Sequence, residues 1–239
     1  NIAFVHEVQG SGSSVAILTP VTVEAIVVGD YQGSDQLSGF FIQEEDADID
    51  GDAATSEGIF VFCGGCAVDV AVGDEVRVSG TPNEFFDMSQ ITSDSVQVLS
   101  SGNTLPSATV IDLPIVAPDV DAFYEQFEGM LVGFSDTMVV SEYFELARFG
   151  QIVLYPDARP YQFTDENTPD VTGYAAHLYA LARSMVILDD DDNIQNSPLP
   201  NGVFYHPQPD GFGVGTQGTD YFRGGDTVSG LVGVLHWSW

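Results

Sequence analysis

Lysine is absent from this 239-residue chain, and the basic residues come to five, all arginine: Arg77, Arg148, Arg159, Arg183 and Arg223. Against them stand 36 Asp and Glu residues, a formal net charge of −31. Nucleic-acid affinity comes mainly from cations that replace the counterions of a phosphate backbone. Unaided binding to DNA or RNA is therefore expected to be weak at most. Anionic membranes are held by polybasic segments, and the sequence has none. No apolar run approaches the roughly 20 residues of a membrane helix, so no membrane partner is expected. The opening Asn1-Ile2-Ala3-Phe4-Val5-His6-Glu7 lacks the basic start and long apolar core of a signal peptide. The chain is expected to be a mature or excised piece. The acidity suits solubility in salty water, where screening removes most self-repulsion, combined with local binding of divalent cations.

Cysteine is scarce too: only Cys63-Gly64-Gly65-Cys66. One such pair cannot close a structural zinc site alone. A thioredoxin-like role would want a helix after the first Cys, and strand and turn sequence surrounds this one. A local disulfide pinning a turn, in an extracellular compartment, is the expectation; free thiols and a redox or metal role are the alternatives. Catalytic signatures are missing as well. There is no metalloprotease HExxH, no GxSxG elbow and no phosphate-cradling Gly-Lys loop. His6, His177, His206 and His236 are scattered and read as packing or surface residues.

What the chain does have is a calcium-type loop. Asp46-Ala47-Asp48-Ile49-Asp50-Gly51, followed by Asp52 to Ser56 and then Glu57, satisfies D-x-D-x-D-G-x5-E at every specified position. Ca²⁺ takes six to eight oxygens. Acids at alternate positions fold onto one ion, a Gly permits the sharp turn, and the twelfth residue closes the site bidentately. Ligands are thus expected at Asp46, Asp48, Asp50, Asp52 (through its carbonyl at position 7) and Glu57, with Ca²⁺ as the cofactor. The flanks, Gly39–Gln43 and Gly58–Phe62, read as strands, so the helices of an EF-hand are not expected. The competing reading is a solvated hairpin tip in an acidic protein. Asp189, Asp190 and Asp192 form a second acidic run. It is either a second cation site or a solvated turn, because adjacent strand residues point to opposite faces. Arg148 is expected to pair with Asp189 or Asp190.

Strand signals recur at Val21–Val28, Gly39–Gln43, Gly58–Phe62, Val70–Gly80, Gln90–Thr92 and Ser95–Leu99. Their spacing, split by Gly and Asp turns, suggests a small barrel or sandwich. A Pro/Ser-rich linker spans 100–122. In the second half Gly129–Phe134, Met138–Val140, Gly150–Tyr155 and Thr227–Leu235 read as strands. Tyr174, Leu178 and Leu181 recur at helical spacing within a helix over 172–184, and a long loop covers 196–220. Gly73-Asp74-Glu75-Val76 and Gly225-Asp226-Thr227-Val228 echo each other as turn-then-strand. The second half stops at His236-Trp237-Ser238-Trp239, so its barrel is expected to want a last strand. The fold expected is all-β with one short helix. It comprises two tandem OB-like β-barrels, 1–99 with the calcium loop at 46–57, and 123–239.

The residues also carry a family likeness. Ile2-x-x-Val5-His6-Glu7-Val8-Gln9-Gly10-Ser11-Gly12, Val21–Asp30, Gly39–Asp46, Gly58–Phe62 and Val70–Gly80 resemble the OB-fold region of large secreted bacterial nucleases of the endonuclease/exonuclease/phosphatase type. Tyr124–Val132, Ala147–Gln151, Leu188–Asp190 with Gln195-Asn196, and Gly225–Leu235 are similar too. The resemblance implies an extracellular, non-catalytic accessory region that precedes a catalytic domain. That domain's metal-binding acids and catalytic His have no counterpart block here. A downstream nuclease domain is the partner so implied. The other class of function is a structural or assembly module that associates with copies of itself, through exchange of a loose N-terminal strand or through Ca²⁺. Phe85, Phe86, Tyr143, Phe144, Tyr221 and Phe222 could stack bases on an OB barrel; without flanking cations they read as core or as a protein contact.

Overall fold

A computed structural model describes residues 2–190, 192, 194–196, 203–204, 212–213 and 223–237. The strands are β1 (Val21–Tyr31), β2 (Gly39–Gln43), β3 (Gly58–Phe62), β4 (Glu75–Phe85), β5 (Met88–Ser100), β6 (Thr109–Ile111), β7 (Leu131–Phe134), β8 (Met138–Glu142), β9 (Ile152–Pro156), β10 (Val186–Leu188), β11 (Val203–Phe204), β12 (Phe212–Gly213), β13 (Thr227–Val228) and β14 (Val232–Val234). The helices are α1 (Val5–Gln9), α2 (Val120–Glu125), α3 (Leu146–Phe149), α4 (Phe163–Glu166) and α5 (Val171–Ala182). The molecule is mostly β, as the sequence pattern leads one to expect.

The first five strands close into a barrel in the order β1-β2-β3-β5-β4, with β4 returning to β1. All pairs are antiparallel except β3 with β5. Period-2 alternation fills the interior. Val23, Ala25 and Val27 of β1, Phe40 and Ile42 of β2, Ile59 and Val61 of β3, and Val76 and Val78 of β4 join one core. β2 and β3 are continuous apolar runs because their outer faces are covered as well. Phe41 and Phe60 pack with Val28, Met88 and Leu131 in a second cluster, with Val234 and Trp237 against it. A fully enclosed Val or Ile is worth about 1.5–3 kcal/mol against exposure.

The β4–β5 hairpin is longer than its sequence signals. Gln90–Thr92 and Ser95–Leu99 belong to one strand, because a register shift between Ser79 and Gly80 absorbs the irregularity. A Cβ at Gly80 would run into the Thr92 carbonyl, so a close backbone approach fixes that glycine. At the tip Phe86 and Asp87 both have positive φ, 50° and 64°. A tight hairpin turn demands this of its two central residues, and it is uncommon for a bulky Phe.

The N-terminus differs from the loose strand expected. Val5–Gln9 is a short helix, and Val5 and Val8 on one face are both fully buried in the barrel core. The Glu7 carboxylate accepts the Phe4 N–H at 3.0 Å, the reciprocal half of a capping box. Only an isolated bridge, Ala3 with Val23, adds strand character.

The chain divides into two compact units, one of residues 1–110, 119–133 and 232–239, the other of 111–118 and 134–231. The division is not linear. What read as a 100–122 linker contains β6 and the start of α2, and β14 near the chain's end pairs with β7 in the first unit. The second unit holds a four-stranded antiparallel sheet, β10-β9-β8-β13, with Met138, Val140, Ile152 and Leu154 buried. Among its described residues the sheet is open rather than closed. The expected helix is α5, whose N-cap Asp170 accepts the Gly173 N–H. Its apolar stripe is not core, since Tyr174 and Leu178 are about half exposed. The 196–220 loop lies largely outside the described residues.

Candidate metal centre

The loop joining β2 to β3 is built from its own side chains. Gly51 takes φ 77°, the left-handed turn a Cβ disfavours. Asp50 Oδ1 accepts the Asp52 N–H at 2.6 Å, and Asp52 Oδ1 accepts the Ala54 N–H at 3.0 Å. The Thr55 hydroxyl donates to Asp50 Oδ2 at 3.1 Å. Glu57 Oε1 accepts the Asp50 N–H at 3.1 Å across the loop. The fifth and last motif positions, Asp50 and Glu57, are therefore drawn together, but the first, Asp46, is not. Asp46 turns to the β5–β6 connection, where it accepts the Ser107 hydroxyl at 2.6 Å and the Ser107 N–H at 2.8 Å. Those two bonds hold its pKa below the ordinary carboxylate value.

Two groups of ligand atoms converge within 4.8 Å among the described residues: His6 with Asp50 and Glu57, and Glu44 with Glu45 and Asp48. The five expected ligands thus divide. Asp50 and Glu57 meet in one group, Asp48 sits in the other, and the Asp46 carboxylate belongs to neither. The Asp52 carbonyl, the atom expected to ligate, accepts the Thr55 hydroxyl at 2.9 Å. His6 Nδ1 lies 2.8 Å from Glu57 Oε2, with both residues buried. Glu44, 1% exposed, accepts the Val5 N–H at 2.6 Å, and Gln9 donates to the Gly58 carbonyl at 2.6 Å. The acids at both ends of the loop are thereby what dock α1. Burial lifts the Glu44 pKa to about 7, opposed by the Val5 N–H bond; Glu45 is raised as well, again by desolvation first.

Sequence reasoning missed His6, Glu44 and Glu45. The motif begins one residue after Glu45, and His6 lies some forty residues upstream, so only closure of the barrel reveals them. The dense run Gln43-Glu44-Glu45-Asp46 was the available signal.

A second acidic group, also missed, lies at the β4–β5 tip and the α2–β7 turn. Glu128, 4% exposed, accepts the Ser89 N–H on both oxygens, at 3.3 and 3.2 Å. The Ser89 hydroxyl donates to Glu84 at 3.1 Å, and Glu84 accepts the Val15 N–H at 2.8 Å. Desolvation first, then Glu125 and Glu84, push Glu128 up to about 8; the Ser89 N–H bond opposes them. Glu125 is raised to about 7 by desolvation, then Glu84 and Asp87.

The remaining candidates are more dispersed. Asp189 accepts from Gln151 Nε2 at 2.8 Å, Asp190 is buried and accepts the Asp192 N–H at 3.1 Å, and Asp192 accepts the Ile194 N–H at 2.8 Å. They form no converging ligand group among the described residues. The Arg148 guanidinium stacks over Phe149, 4.6 Å from the ring centre. The sulfurs of Cys63 and Cys66 are at bonding distance, with Cα atoms 4.9 Å apart, within the range a disulfide requires. Phe85, Phe86, Tyr143 and Phe144 are exposed rather than core; Tyr221, Phe222 and His206 lie outside the described residues. His177 rests near Phe163, and His236 Nδ1 donates to the Trp237 carbonyl at 2.7 Å.

Comparison with protein-family models and with curated proteins finds no match.

Proposed function

We propose that this chain is a non-catalytic, calcium-stabilised accessory region of a secreted nuclease-like protein, whose OB-like barrel positions a catalytic domain or its substrate. One observation carries the reading: an acid-rich, Gly-turned loop inserted between β2 and β3 of a closed five-stranded barrel whose order is β1-β2-β3-β5-β4. A five-stranded Greek-key barrel is the OB architecture, and the loop offers carboxylates to a hard cation. A cation there offsets repulsion among Glu44, Glu45, Asp48, Asp50 and Glu57, and braces the segment that docks α1. Substrate handling through direct phosphate contacts is disfavoured by the charge of −31.

The test is plasmid nicking by the purified chain with Ca²⁺ and Mg²⁺, alongside anisotropy of a labelled oligonucleotide. No nicking and weak binding are expected. Metal-dependent nicking abolished by a point substitution in this chain would reject the non-catalytic reading. Submicromolar oligonucleotide binding at about 150 mM salt would make it a substrate-capture module, with Phe85 and Phe86 the first residues to replace.

A further inference from the structure

We propose that His6, Asp50 and Glu57 bind a transition-metal dication of the Zn²⁺ class, with the His6 imidazole supplying a nitrogen ligand. The inference rests on the cation-binding reading of the loop and changes its chemistry. Ca²⁺ takes oxygen ligands, whereas imidazole suits Zn²⁺ and its neighbours in the first transition row. A ring nitrogen of His6 and one carboxylate oxygen from each of Asp50 and Glu57 lie within 4.8 Å of one another. The imidazole does not reach this position by chance of an exposed rotamer. His6 is 8% exposed and Glu57 7%. α1 is fixed on both sides of His6, by Glu44 on the Val5 N–H and by Gln9 on the Gly58 carbonyl.

The spacing accommodates an ion. Ligand atoms each about 2.1 Å from a tetrahedral Zn²⁺ stand roughly 3.4 Å apart. His6 Nδ1 and Glu57 Oε2 stand 2.8 Å apart, so a small widening admits the metal. Asp50 is exposed and held by Thr55 and the Asp52 N–H. It presents its carboxylate from the solvent side of a pair that is otherwise enclosed. Three protein ligands leave at least one coordination position for water. The Asp46–Ser107 clamp does not oppose this arrangement, because Asp46 is not among the three ligands. The disulfide-linked cysteines offer no competing thiolate.

The experiment titrates Co²⁺ into the metal-stripped full chain at about pH 7.5 and follows the visible d–d absorption, then displaces it with Zn²⁺. The expected result is one equivalent of Co²⁺ per chain, displaced by Zn²⁺. Replacing His6 by Gln should weaken Zn²⁺ binding roughly 100-fold or more, beyond the 10–100-fold that loss of an outer partner costs. Asp50→Asn, at an exposed position, is expected to weaken it as well and keeps the test valid if His6→Gln fails to fold. Absence of saturable bands, or unchanged Zn²⁺ affinity in the folded His6 variant or in Asp50→Asn, would overturn the site and leave His6–Glu57 a hydrogen-bonded pair only. The Ca²⁺-induced rise in melting temperature should survive in His6→Gln. Loss of the cobalt signal with the Ca²⁺ response intact in that variant thus separates this inference from the broader calcium reading.

Discussion

Glu57 and Glu128 are buried to similar depth in the same unit, 7% and 4% exposed, yet their surroundings differ in kind. Glu57 faces an imidazole and a loop N–H, beside an exposed carboxylate. Glu128 faces one backbone N–H and further acids, Glu125 and Glu84. Burying a carboxylate costs several kcal/mol unless it is paired. At the loop the cost is met by a partner, and under our proposal by a cation as well. At the hairpin tip desolvation and the neighbouring acids instead raise the carboxyl's pKa to about 8, which favours the protonated form near neutral pH. Acid-rich clusters in one small barrel can therefore differ in kind, one paired with an imidazole and proposed to take a cation, the other with its carboxyl pKa raised.

The largest expected effect comes from loading the loop. A ligand at 100 times its Kd adds about 2.7 kcal/mol to folding stability. For a chain of this size that is a rise of roughly 5–10 °C in melting temperature. Millimolar Ca²⁺ should produce such a rise by differential scanning calorimetry, and Asp48→Ala with Glu57→Gln should remove most of it. A double variant that responds like the parent would place the site elsewhere.

Removing charge at the other cluster comes next. The folded-state pKa of Glu128 is raised, so its protonation favours the folded state. That stability is fully present below the unfolded value near 4.5 and is lost as pH rises through about 8. Glu128→Gln should therefore raise the melting temperature by a few degrees at pH 8–9, on the order of 1–2 kcal/mol, with little change near pH 4.5. Glu125 and Glu84 face the same group, and Glu84 and Asp87 face Glu125, so the cluster's repulsion steepens the fall as pH rises. A Glu128→Gln curve parallel to the parent's across that range would break the contrast.

Two smaller effects lie away from the buried acids. Replacing both Cys63 and Cys66 by Ser releases a four-residue loop and should cost about 2 kcal/mol or less by chain entropy, read as a modest drop in urea midpoint. Ser107→Ala removes the hydroxyl bond to Asp46 but leaves the N–H bond, so its cost is at most about 1 kcal/mol. If Asp46 must leave Ser107 to join an ion, the same change should tighten Ca²⁺ binding by roughly two- to fivefold.

The barrel was legible because β-branched alternation in β1 and β4 and apolar runs in β2 and β3 leave few other ways to bury these residues. α5 was legible from its spacing and its Asp170 cap. α1 was not, since five residues are too few for a periodic signal and its helical form depends on Val5 and Val8 meeting the barrel core. The loop's turn was written in Gly51, but the partition of its acids was not. Ser107 draws Asp46 away, and His6 draws Glu57, through contacts between residues about fifty to sixty positions apart. The Glu84–Glu125–Glu128 cluster escaped for the same reason: its members come from separate elements and match no spacing rule.

The most direct test is isothermal titration of Ca²⁺ into the parent, Glu128→Gln, and the Asp48→Ala, Glu57→Gln double variant, all at about pH 8. Saturable uptake is expected in the parent and in Glu128→Gln, and little in the double variant. Uptake that vanishes with Glu128→Gln, or persists undiminished in the double variant, would contradict the assignment of the cation to the loop and the proton to the hairpin.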